Sequence, residues 1–97
     1  EMTTTTVTVL AENFILQNVP EDLDVVIRKE QLVVKIQGRE NKLKEIAPEN
    51  IIVSIDFANA VPGAEYYTCT IEIVGVSDVG VVYDEAYRIL VLITEKN

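Results

Sequence analysis

The side chains of this 97-residue chain that could do chemistry are sixteen carboxylates, four tyrosines, two serines and one cysteine, with no histidine or tryptophan. Without an imidazole there is no His-based triad and no His-ligated metal, and a lone Cys forms no intramolecular disulfide. Ser54 and Ser77 have no base to activate them. A hydrolytic carboxylate pair needs two acids at fixed separation with pKa values pushed apart. The acids here scatter through turns, as at Glu21-Asp22-Leu23-Asp24 and Asp84-Glu85. The first of these lacks the Gly and the closing Glu of a calcium loop. The glycines match neither phosphate-binding signature. These residues point to a non-enzyme without metal or cofactor.

Three smaller features remain. Asp56 ends an apolar strand just before the loop 58–65, where a short carboxylate accepts backbone N–H bonds from the following turn. Cys69 shares the face of Tyr67, Ile71 and Ile73 and reads as a small buried hydrophobe. One tyrosine of the Tyr66-Tyr67 pair must face outward, and Tyr83 and Tyr87 complete the aromatic candidates. Charge is uneven: net −8 overall, with pI near 4.3. That disfavours nucleic acid, which is bound by Lys and Arg. Yet Arg28, Lys29, Lys35, Arg39, Lys42 and Lys44 cluster in residues 28–44 against only Glu30 and Glu40. This basic corner is the expected interaction surface, able to orient copies or partners by steering.

The elements that must carry these residues are strands. Val, Ile and Thr supply 15, 11 and 8 residues, and such β-branched side chains suit a pleated surface. Period-two alternation marks strands at 3–10, 14–19, 24–27, 32–37, 51–57, 66–74, 79–84 and 89–94. The inward residues are Val7 and Val9; Leu32, Val34 and Ile36; Ile51, Val53, Ile55 and Phe57; Ile89, Val91 and Ile93. Leu90 and Leu92 make the last strand apolar on both faces, as in a central strand covered on both sides. Gly38 is expected to end its strand, and Pro62-Gly63 to turn the chain. Leu43 and Ile46 give one helical turn over 42–46, stopped before Pro48. The expectation is a mainly β single domain over 1–97 with mixed strands.

Residues 22–29 align without a gap on 78–85, and 32–36 on 89–93 after one added residue. The spacing of 56–57 residues implies two pseudo-symmetric halves, each a strand, a reverse turn and a strand.

The ordered landmarks resemble a YbbR-like domain from about Val7 to Glu95. Asn18-Val19-Pro20 resembles the family's N-L-P, and Val33-Val34-Lys35-Ile36-Gln37-Gly38 its strand ending in Gly, followed by the turn at Leu43 and Ile46. Ile52 to Phe57 resembles its strand with Asp, Gly63-x-x-Tyr66 its G-x-Y, and Ile89 to Ile93 its closing strand. The family's Pro residues are replaced at Arg28-Lys29-Glu30 and Asp84-Glu85-Ala86. The resemblance implies a non-catalytic, extracytoplasmic module of a membrane-anchored, Gram-positive protein. It would occur in tandem repeats and regulate the membrane diadenylate cyclase that makes cyclic di-AMP. The implied partners are neighbouring repeats and the cyclase, through protein contact; alone, the domain is expected to be a monomer. The opening Glu1-Met2 reads as a piece of a longer chain, with its anchor elsewhere. The competing expectation is a cell-wall or carbohydrate-binding β-domain, with an outward Tyr66 or Tyr67 and loop acids holding sugar.

Overall fold

Alternating β-branched residues build nine strands in a computed structural model that describes residues 2–96. Positions 1 and 97, the ends of the expected domain, lie outside the described residues. The strands are β1 (Met2–Leu10), β2 (Ile15–Gln17), β3 (Leu23–Ile27), β4 (Gln31–Arg39), β5 (Ile51–Asp56), β6 (Gly63–Thr68), β7 (Thr70–Ile73), β8 (Val79–Val81) and β9 (Arg88–Glu95). They form three sheets, ordered β1-β4-β8, β2-β5-β7 and β3-β9-β6. Every ladder is antiparallel except β2–β5, so the mainly β, mixed class holds.

One apolar cluster joins the sheets. The first contributes Val7, Val9, Leu32, Val34 and Ile36, the second Ile51, Val53, Ile55 and Ile71, and the third Leu23, Ile89, Val91 and Ile93. All but Leu23 lie on faces that alternation marks; Leu23 opens β3 one residue before the expected strand. Phe57 is fully buried and packs on Tyr67 with ring centroids 5.0 Å apart. Burying side chains of this size stabilises the fold by roughly 1.5–3 kcal/mol each before the entropy of ordering is counted.

The halves are real, and the registers prove it. The β3–β9 ladder sets Leu23 opposite Glu95 and Val25 opposite Ile93, while β8–β4 sets Val79 opposite Gly38 and Val81 opposite Ile36. Moving the first strand by 56 residues and the second by 57 converts one ladder into the other. β1 on β4 and β6 on β9 complete the match. β5 stands outside these matched ladders and forms the centre of the second sheet.

The two strands of each half do not pair with each other. Each pairs with a strand of the other half, so the halves interlock. Arg28 N–H still donates to Leu90 C=O (3.0 Å), whereas Glu30 C=O already accepts from Ala11 N–H (2.8 Å). The chain therefore changes sheets across Lys29.

Three sequence expectations change in detail. The run 66–74 is two strands, not one: β6 belongs to the third sheet and β7 to the second, and Cys69 N–H at the break donates to Tyr87 C=O (2.7 Å). Gly38 lies inside β4, between Thr3 and Val79, and the strand runs on to Arg39. Its glycine answers a close approach, since a Cβ there would stand 2.7 Å from Val79 Cγ1. The helical turn begins earlier, as α1 (Glu40–Leu43), with turn bonds continuing to Ile46 N–H. Leu43 and Ile46 are the half-buried side chains that tie it to the core. Among the described residues no helix is long and apolar enough to cross a membrane.

Candidate functional site

The basic residues are the first place to look, and tertiary structure disperses them. Arg28 and Lys29 lie before β4, while Arg39 ends it and Lys42 and Lys44 follow in and after α1. β4 alone spans about 26 Å at ~3.3 Å per residue, in a molecule measuring 53 × 23 × 20 Å. The six therefore do not form one corner. Lys35 is half-buried and reaches Asp84 at 3.3 Å, and Lys44 faces Glu40 at 3.8 Å. Both pairs are solvated and add little stability.

Asp56 closes β5 with its Oδ1 accepting Ala58 N–H (2.9 Å) and Asn18 Nδ2–H (3.1 Å). The Asn18 amide foremost, then the Ala58 N–H, holds its carboxyl below the usual value. Asn18 sits at φ +55°, a left-handed conformation that Asn tolerates. The pair thus fastens the end of β2 to the end of β5. Pro62 precedes β6 and Gly63, at φ +132°, opens it. These are structural fittings rather than ligand groups. Cys69 is buried, and burial pushes its thiol up to about 11.

A different surface emerges from the third sheet. Residues 88, 90, 92 and 94 of β9 alternate away from the core that Ile89, Val91 and Ile93 fill. Leu92 lies between Val26 and Ala64, and Leu90 faces Tyr66 on one side and the chain at Arg28 on the other. Val26 is 42% exposed and Tyr66 65%. The result is an apolar strip of Val26, Leu92, Leu90 and Tyr66, with Arg28 and Arg88 at one end and Asp24 at the other. The sequence expected this strand to be covered on both faces; on the outer one Leu90 and Leu92 are half-buried between their flanking strands and do not pack into the core cluster. Arg28 alone of the predicted basic set belongs here. The signal for the strip was the pair Leu90 and Leu92, which alternation could not distinguish from a buried strand.

At Tyr66 the strip runs into a pair of adjoining depressions of about 410 and 310 Å³ sharing Glu85, Ala86 and Arg88. Lys35, Asp84 and Tyr87 line the second. Tyr87 fixes this floor: its hydroxyl donates to Val82 C=O (2.6 Å) and accepts Lys35 N–H (3.0 Å). Tyr83 packs edge-on against it at 5.5 Å and is 58% exposed. An apolar strip with an aromatic residue and a charged rim has the anatomy of a protein contact patch. Among the described residues no cluster of three or more metal-ligating side chains occurs.

Comparison with known proteins bears on the fold. No protein-family profile matches the chain, and no curated protein sequence does. Solved structures do. A YbbR-like protein of Streptococcus pneumoniae TIGR4 superposes with TM-score 0.72 at 19% identity, over 98% of this chain and 48% of that one. This chain thus spans about half of the streptococcal one. The YbbR-like domain of a Listeria monocytogenes protein gives 0.66 at 16% identity, covering 98% and 96%. A YbbR family protein of Desulfitobacterium hafniense DCB-2 gives 0.65 at 17%, covering 94% and 96%. At such identities the likeness speaks for the fold, and the chain has the YbbR-like domain fold.

Proposed function

We propose that this YbbR-like fold is a non-catalytic contact module of a membrane-anchored protein, working on the extracytoplasmic side and regulating a membrane diadenylate cyclase through protein–protein contact. The observation that carries the contact role is the outward-facing apolar strip Val26–Leu92–Leu90–Tyr66 with its arginine-bearing end. Large aromatic and aliphatic side chains inside a charged rim are the groups that supply binding energy at interfaces. The cyclase as target rests on the resemblance of the sequence landmarks, and the solved neighbours support it as far as the fold. Neighbouring repeats of the same module are the second class of partner this face suits.

The test is cyclic di-AMP output in cells holding the cyclase and the full-length parent protein. Leu92→Glu places a charge in the strip without touching the core residues Val91 and Ile93. It is expected to abolish the effect of the parent protein on cyclic di-AMP while leaving its abundance unchanged. An unaltered effect in a stably expressed variant would refute the contact reading.

A second reading, binding of cell-wall carbohydrate, draws on the exposed Tyr66 and Tyr83 beside Asp84 and Glu85. Aromatic faces with adjacent carboxylates can stack on and hydrogen-bond a sugar ring. Titration with soluble wall fragments distinguishes the readings: shifts confined to the Tyr66 and Tyr83 ring resonances favour sugar, and their absence removes it.

A further inference from the structure

Six strands lie at sheet edges: β1, β2, β3, β6, β7 and β8. Open edges pair with other chains unless shortness, charge, Pro or a bulge guards them. β2 and β8 are three residues long, and β3, β6 and β7 carry Asp24, Glu65 and Glu72. β1 is the exception. Its nine residues, Met2-Thr3-Thr4-Thr5-Thr6-Val7-Thr8-Val9-Leu10, contain no charge, Pro or Gly, and its register with β4 is unbroken.

The bonding of β4 shows which groups β1 leaves free. Lys35 N–H goes to the Tyr87 hydroxyl and Lys35 C=O accepts Val82 N–H, both on the side away from β1. Thr6, opposite Lys35, is therefore a non-hydrogen-bonded partner. By antiparallel alternation the N–H and C=O of Met2, Thr4, Thr6, Thr8 and Leu10 point to the open edge. Among the described residues no hydrogen bond joins these groups to another element. The side chains of the same five residues share the outer face, where Met2 is 60% and Leu10 43% exposed.

We propose that β1 pairs antiparallel with β1 of a second copy of this chain, about a twofold axis through Thr6. That centre is the one that overlaps all nine residues with every free group opposite a free group. Thr6 faces Thr6, Thr4 faces Thr8, and Met2 faces Leu10. About ten backbone hydrogen bonds form. The two exposed apolar residues, at opposite ends of one strand, become cross-strand partners, and the threonines pair as they favour. The occupant is a copy of the chain because the edge is complementary to itself and uncharged. Two chains of net −8 meet here without opposing carboxylates. The β1-β4-β8 sheets of the two copies merge into one of six strands. The contact is one strand edge, below the ~1,200–2,000 Å² of a standard stable interface, so the pairing is a weak, concentration-dependent one. The monomer expected from sequence is then the dilute form of an equilibrium.

Sedimentation of the chain from about 10 µM to 1 mM tests this, where a rising dimer fraction is expected. Thr6→Lys sets two ammonium groups face to face and is expected to raise the dissociation constant at least about tenfold. Thr6→Pro removes an N–H that the monomer does not use and is expected to do the same with the monomer still folded by circular dichroism. Thr6→Cys is expected to oxidise to a disulfide dimer faster than Ser77→Cys, a control on an exposed loop. A monomer throughout the range, a dimer that ignores Thr6→Lys, or equal oxidation of the two cysteine variants would each overturn the proposal.

Discussion

Replacing Gly38 by Ala probes the interlock of the halves directly. The new Cβ would lie 2.7 Å from Val79 Cγ1, 3.2 Å from the Asp78 carbonyl oxygen and 3.4 Å from Val79 Cβ. Val79 is β-branched with little rotamer freedom, and Asp78 already stands at φ +63°. Neither yields easily, so β8 must move off β4. Overpacking of this kind costs about 1–3 kcal/mol, and the loss of glycine's unfolded-state freedom returns about 0.4–1. The net expectation is about 1–2 kcal/mol of destabilisation, or a Tm lower by roughly 5–15 °C for a domain of this size. Glu95, the pseudo-symmetric position, faces Leu23 with a full side chain, so antiparallel pairing itself does not demand glycine. Glu95→Ala is therefore expected to shift Tm little. The decisive assay is a double-mutant cycle read by urea unfolding. In a Val79→Ala background, where Cγ1 is gone, Gly38→Ala should lose most of its cost, giving a coupling of about 1–2 kcal/mol. An unchanged or raised Tm for Gly38→Ala, or no coupling to Val79, would refute the argument that proximity of β8 sets this residue.

Tyr87→Phe removes the hydroxyl between Lys35 N–H and Val82 C=O. It should cost about 1–2 kcal/mol in urea unfolding and speed amide exchange at Lys35. Cys69, with its thiol at about 11 against 9.0 and its side chain buried, should react with a thiol reagent at pH 8 about a hundredfold slower than in urea, from ionisation alone. Asp56 has a lowered folded pKa, so its stabilisation is present above the ordinary carboxylate value of about 3.9 and is lost as pH falls through the lowered value. Asp56→Asn should lower the urea midpoint at pH 6 and match the parent at a pH below that folded value.

Much of the fold was legible because burial imposes period two on a strand. Val7, Leu32, Val53, Ile89 and their neighbours face the core as alternation requires. The 56–57 residue offset likewise marked two similar halves, though not that their strands pair across the halves. What alternation cannot carry is the identity of a strand's neighbour. The run Tyr66 to Val74 keeps a steady inward face through Cys69, so nothing in its pattern marked the change of sheet. The candidate site was less legible for the same reason. Leu90 and Leu92 read as interior, and the basic residues read as one corner because they are near in sequence.

The sequence alone determined that this protein is built of strands, which residues fill its core, that its halves repeat, and that imidazole chemistry is absent. These follow from side-chain chemistry and the geometry of a single pleated strand. Tertiary structure decided that the halves exchange strands, that Leu90, Leu92, Val26 and Tyr66 form an outward-facing strip, and that β1 keeps an unguarded edge. Those are properties of pairing between distant segments. Hydrogen bonds between backbones are blind to sequence, so the choice of partner is settled only when all the strands compete for one core.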